Sequence, residues 1–137
     1  MSHDPLLVER LKGVLEVLER IPRRFAGITT SEDFIDNPEG QDRLDAICMV
    51  LIAVGEAFKQ VDRQTDGKLL TRYPNVDWTG VKGVRDVIAH GYFDVDAEEV
   101  FAICQNDIPV LIDTVQAMIK DLANDSAAGN KKSSSLP

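Results

Sequence analysis

The chain has 137 residues, of which 44% are hydrophobic and 28% charged, with a formal net charge of −8. That length fits one domain, which can bury roughly 68% of the surface of its unfolded chain. A pI near 4.7 excludes a broad nucleic-acid-binding face, which would be basic, so any RNA contact has to be local and made by a few cations.

No apolar run approaches the ~18 residues of a membrane span, and Met1-Ser2-His3-Asp4-Pro5 has no signal-peptide apolar core, so the expectation is a cytoplasmic protein without a membrane partner. Cys48 and Cys104 sit among apolar residues and are expected as reduced core side chains. Asp4-Pro5 is an N-cap followed by proline and opens the first helix, with Leu7, Leu11, Val14, Leu15, Leu18 and Ile21 along one face. Pro22 has no amide hydrogen and crowds the carbonyl four residues back, so it is expected to kink or end that helix. Thr30 and Ser31 can cap a short turn, with Glu32 and Asp33 in the first turn and Phe34 at its end.

Asn37-Pro38 repeats the cap signature and begins the longest helix, whose stripe of Leu44, Ile47, Cys48, Leu51, Val54, Phe58 and Val61 is widened by Met49, Val50 and Ile52. So wide a stripe implies burial on more than one side, at a bundle centre or a subunit interface. Glu56 in its middle is either a buried, paired carboxylate or an exposed one. Asp66-Gly67 ends the helix. Asp77 caps a third helix expected from Trp78 to about Gly91, with Gly80 and Gly83 three apart for close packing. Asp96-Ala97-Glu98-Glu99 is a capping box that starts the last helix, which should kink near Pro109. Residues 1–124 are thus expected to form one helical domain and residues 125–137 a disordered tail. No segment alternates with period two, so the fold class is all-α, a bundle of four main helices.

The chemistry concentrates between Gly83 and Phe93, where Arg85, Asp86, His90 and Tyr92 lie within eight residues. Histidine transfers protons near neutral pH, and arginine carries a planar set of donors suited to phosphate oxygens. The pair is therefore suited to phosphodiester chemistry. On a continuous helix, five residues at 100° each place Arg85 and His90 roughly 140° apart, whereas Asp86 and His90, four apart, can pair. Divergent Arg and His side chains suit a composite site, in which two copies of the helix meet across a symmetry axis. No metal-ligand set, His-Glu-x-x-His motif or phosphate-cradling glycine loop is present, and no metal or other cofactor is expected.

Arg85-Asp86-x-x-x-His90-x-Tyr92-Phe93 is preceded by Trp78 and Gly83 and followed by Val95-Asp96 and Gln105-Asn106-Asp107-Ile108-Pro109. With Ser31-Glu32-Asp33-Phe34 and Gly55-Glu56 upstream, this string resembles the HepT-like toxins of the HEPN superfamily over roughly residues 4 to 122. The resemblance implies a four-to-five-helix, up-and-down HEPN bundle that forms a homodimer. It also implies a metal-independent endoribonuclease, the toxin of a toxin–antitoxin pair, with Arg85 and His90 catalytic at the dimer cleft and Asp86 supporting. The implied partners are RNA as substrate and a minimal nucleotidyltransferase antitoxin, which in such pairs transfers AMP to the motif tyrosine, here Tyr92. Asp86 stands where the family often has Asn, and Asp94 where it usually has Gly. Two other readings remain open. One is a catalytically silent HEPN dimer that binds a nucleotidyltransferase. The other is a purely structural helical adaptor.

Overall fold

The computed structural model describes residues 5–91 and 94–134, with 126–134 as backbone only. The regular elements among the described residues are helices, in the order α1 (Pro5–Leu18), α2 (Arg20–Phe25), α3 (Glu32–Ile35), α4 (Pro38–Gln64), α5 (Trp78–Lys82), α6 (Val84–Ile88), α7 (Ala97–Ala102) and α8 (Ile108–Ser134). The all-α class expected from the sequence is what the chain adopts: among the described residues the only extended pairing is a single bridge, Ala89 to Val95. Among the described residues no helix is long and apolar enough to cross a membrane.

The long central helix α4 organises the rest. Asn37 Oδ1 accepts from the Gly40 amide at 2.7 Å, with Pro38 at the first helical position. Leu44, Ile47, Cys48, Val50, Leu51, Val54, Phe58 and Val61 are buried along it, and α1, α2, α3, α5, α6 and α7 all pack against it. The broad stripe therefore marks the bundle centre. Met49 falls outside the stripe and is 74% exposed. Glu56 is exposed as well, paired with Lys59 at 3.1 Å. Cys48 and Cys104 are free and buried, and burial pushes their thiols up to about 11 and about 12.

The break expected at Pro22 occurs, displaced toward the N-terminus. Pro22 has no N–H for the carbonyl of Leu18, and that is where α1 ends, so Pro22 itself sits inside α2. Pro109 lies just beyond a π-helical turn, Ile103–Asp107, in which the Ile108 amide reaches back five residues to the Ile103 carbonyl. The turn before α3 works differently from the expected cap. Ser31 makes no side-chain cap, and Asp33 Oδ2 instead accepts from the Thr29 amide and hydroxyl and from the Thr30 amide, at 2.8 to 3.0 Å. The carbonyls of Arg24 and Ala26, at the C-terminal end of α2, are taken by Arg43 from α4.

The largest departure is in the third expected helix. It divides at Gly83 and stops at Ile88, so the motif does not lie on one continuous rod. The approach that requires a glycine here is made by Gly55 in α4, where a Cβ would stand 2.7 Å from the Val81 carbonyl oxygen. Gly80 instead leaves room for the Asp77 cap. Lys82 bonds Asp62 at 2.7 Å and ties α5 to α4. The connector before α5 is pinned to α8 by Tyr73 Oη on Asp121 at 2.6 Å and by Asn75 on the buried Thr114 at 2.9 Å. Among the described side chains of α8 the last buried one is Leu122, and the helical backbone continues past Asp125 to Ser134.

Candidate active site

Helix α6 is a single anchored turn. Val84 and Ile88, four apart, are buried against the bundle, which turns Arg85, Asp86 and Val87 outward. Its last helical bond runs from the Ala89 amide to the Arg85 carbonyl at 3.0 Å, and Ala89 is already extended at φ −114° and ψ 122°. The chain then doubles back. The His90 amide donates to the Asp94 carbonyl and the Asp96 amide to the Ile88 carbonyl, both at 2.7 Å, on either side of the Ala89–Val95 bridge. Gly91, at φ 157°, supplies a backbone angle that a side chain rarely permits. Tyr92 and Phe93, and with them the modification site expected at Tyr92, lie outside the described residues.

This local fold changes who meets whom. His90 lies beyond the helix end, so the spacing that would pair it with Asp86 does not apply. Its Nε2 stands 3.3 Å from Asp96 Oδ2, six residues on and one strand-like turn away. Asp96 Oδ1 accepts from the Glu99 amide at 3.0 Å and caps α7. That amide first, and the His90 contact second, hold the Asp96 carboxyl below its ordinary range. The capping role of Asp96 was readable from the spacing of Asp96 and Glu99, but its second oxygen was not. Nothing local shows that a turn at residues 89–95 will bring a histidine to a cap. Arg85 and Asp86 are exposed and make no ion pair among the described residues.

Beside α6 runs a groove of about 380 Å³, lined by Val84 and Val87 on one side and by Glu99, Asn106, Asp107 and Val110 on the other. The π-helical turn presents Asn106 and Asp107 to it. Arg85 and His90 do not line this groove. They stand on the outer surface of the same segment. Val87 and Val110 are 39% and 42% exposed, which leaves an apolar patch next to the motif. Among the described residues no group of His, Cys, Asp and Glu side chains is arranged to hold a metal ion.

The sequence profile of a family described as Ribonuclease HepT-like matches residues 14–118. A protein of Methanocaldococcus jannaschii named as a candidate RNase is 26% identical over 116 residues, which cover 85% of this chain and 84% of that one. A Thermococcus cleftensis protein named probable ribonuclease HepT is 30% identical over 110 residues, 80% of this chain and 89% of its own. A candidate RNase of Caldanaerobacter subterraneus is 27% identical over 110 residues, 80% and 91% of the two chains. No solved structure matches the chain. The matched span runs from within α1 into α8 and takes in the whole Arg85–Tyr92 segment, and on it the chain belongs to the HepT-like ribonuclease family.

Proposed function

We propose that the chain is a metal-independent endoribonuclease, the toxin of a toxin–antitoxin pair, in which Arg85 and His90 carry the chemistry. The observation that carries this reading is that both side chains are exposed, Arg85 on α6 and His90 just past its last residue, and Arg85 has no ion-pair duty among the described residues. His90 takes the proton of a ribose 2′-hydroxyl, whose oxygen attacks the adjacent phosphorus and forms a 2′,3′-cyclic phosphate. The leaving 5′-oxygen takes a proton from an acid, the second histidine of a dimer or water. Arg85 neutralises the charge that builds on the non-bridging oxygens. Proton transfer and charge stabilisation are thus both supplied by side chains of this chain.

The exposed Val87 and Val110 beside the groove support a homodimer that brings two copies of the 83–93 region together. In that arrangement each Arg85 faces a cleft shared with the other copy's His90. Control falls to a nucleotidyltransferase antitoxin that transfers AMP to Tyr92, placing a negative phosphodiester beside Arg85. Asp86, exposed next to Arg85, favours a second reading in which the dimer does not cleave and only binds the nucleotidyltransferase.

One set of measurements on the full chain separates these. Wild type should cleave RNA in EDTA, and His90→Ala and Arg85→Ala should each lose on the order of 10²–10⁴ in rate with unchanged circular dichroism. Cleavage that persists in His90→Ala, or that EDTA abolishes in wild type, sinks the mechanism. No cleavage by wild type, together with stable binding of the nucleotidyltransferase, supports the silent dimer. Incubation with that partner and ATP should add AMP to a Tyr92 peptide, and Tyr92→Phe should lose the addition.

A further inference from the structure

We propose that Asp96 is a positioning residue that holds His90 in its Nε2-protonated tautomer, so that Nδ1 is the nitrogen that exchanges protons with the RNA. This rests on the reading of His90 as the acid–base group. The two oxygens of Asp96 have separate duties. Oδ1 accepts from the Glu99 amide at 3.0 Å, and Oδ2 faces His90 Nε2 at 3.3 Å. An ionised carboxylate only accepts hydrogen bonds, so the nitrogen facing it has to be the donor. In a neutral imidazole one nitrogen donates and the other accepts, which leaves the lone pair on Nδ1. Nδ1 has no partner among the described residues, and the ring is 53% exposed, so that nitrogen is open to a substrate.

The backbone sets the distance between the two groups before any side chain acts. The bridge at Ala89 and Val95 and its two flanking 2.7 Å bonds fix residue 90 relative to residue 96. The cap on α7 then fixes the carboxylate, which leaves the ring one favourable orientation. Asp77 is the useful contrast. It caps α5 through Oδ1 in the same way, but no histidine stands at its other oxygen among the described residues. A cap needs one oxygen, and Asp96 uses both.

Asp96→Asn discriminates between a cap and a positioning group. Asparagine caps about as well as aspartate, so a purely structural Asp96 tolerates the change. With its oxygen kept on the Glu99 amide, the new side chain turns an NH2 group toward His90. That donor matches a ring whose Nε2 is unprotonated, which is the opposite tautomer. The expected result is a kcat about 10²-fold lower, KM within about twofold of wild type, and an unchanged melting temperature. Nitrogen-15 NMR of the full chain at pH about 8.5, above the ordinary histidine range, should show the His90 ring protonated on Nε2 in wild type and on Nδ1 in Asp96→Asn. The His90→Ala spectrum assigns which signals belong to His3.

The outcomes separate cleanly. Activity that survives His90→Ala overturns the ribonuclease reading and this inference with it. Activity lost in His90→Ala but retained at wild-type kcat in Asp96→Asn overturns the role of Asp96 alone. A wild-type ring protonated on Nδ1 overturns it without any RNA in the tube.

Discussion

Helix α4 and the segment from Trp78 to Asp96 start from the same local instructions and end differently. Each opens on a side-chain cap, Asn37 on Gly40 at 2.7 Å and Asp77 on Gly80 at 3.1 Å, and each contains a glycine further on. The first then runs unbroken for 27 residues. The second divides at Gly83 and stops at Ile88. What separates them is burial. Helix α4 buries residues on nearly every turn, whereas α5 buries none and α6 only Val84 and Ile88. A helix in water is marginal on propensity alone, so packing decides whether it survives a glycine. The thinly packed segment is also the one that leaves Arg85 and His90 exposed, so the weakness of the helix and the openness of the site have one cause.

Substitutions at the two ends of this contrast should fail in opposite ways. Phe58→Ala removes a ring that is 0% exposed and packed on Trp78 at 4.9 Å between centroids. It should lower unfolding free energy by about 3–5 kcal/mol in urea titration, while Arg85→Ala should leave the urea midpoint in place and lose only activity. A midpoint that falls as far in Arg85→Ala would mean that the motif segment is structural.

A smaller effect tests the glycines. Gly55→Ala drives a Cβ to 2.7 Å from the Val81 oxygen, a backbone atom of α5, and should destabilise by about 1–3 kcal/mol. Gly13→Ala, on the exposed side of α1 with nothing within 4 Å of the new Cβ, should stabilise by up to about 1 kcal/mol. Two substitutions of the same sign would remove the distinction between a packed and an open glycine.

The smallest effect is a matter of charge at the turn before α3. The amides of Thr29 and Thr30 hold the Asp33 carboxyl below its usual 3.8. A carboxylate with a depressed folded-state pKa contributes stability above its unfolded value, and loses it as pH falls through the folded one. The melting-temperature gap between wild type and Asp33→Asn should therefore be open at pH 7 and close as pH drops below about 4. A gap independent of pH would assign the turn to shape rather than charge.

Much of this was legible in the chain itself. The caps at Asn37, Asp77 and Asp96 were readable because a cap is satisfied within three residues of its own position. The break at Pro22 was readable too, although it sits where the lost hydrogen bond falls and not at the proline. Arg85 and His90 could be named from spacing and residue type. Their relative orientation could not, because the 140° separation assumed a helix continuing to Gly91, and the chain turns back at Ala89. Glu56 stayed ambiguous until the packing of α4 showed its side facing solvent.

By itself, then, the sequence determined the all-α class, the central helix with its buried stripe, and the caps at Asn37, Asp77 and Asp96. Each of these depends on interactions within a turn or two, or on the apolar period that any burial has to follow. Tertiary structure alone decided that Gly55 is where α5 closes on α4, that the motif helix breaks at Gly83, and that His90 meets Asp96 and not Asp86. Those outcomes depend on which surfaces the bundle can bury, and on a reversal between Ile88 and Asp96 held by bonds across the turn. No spacing along one helix encodes a partner on the start of the next.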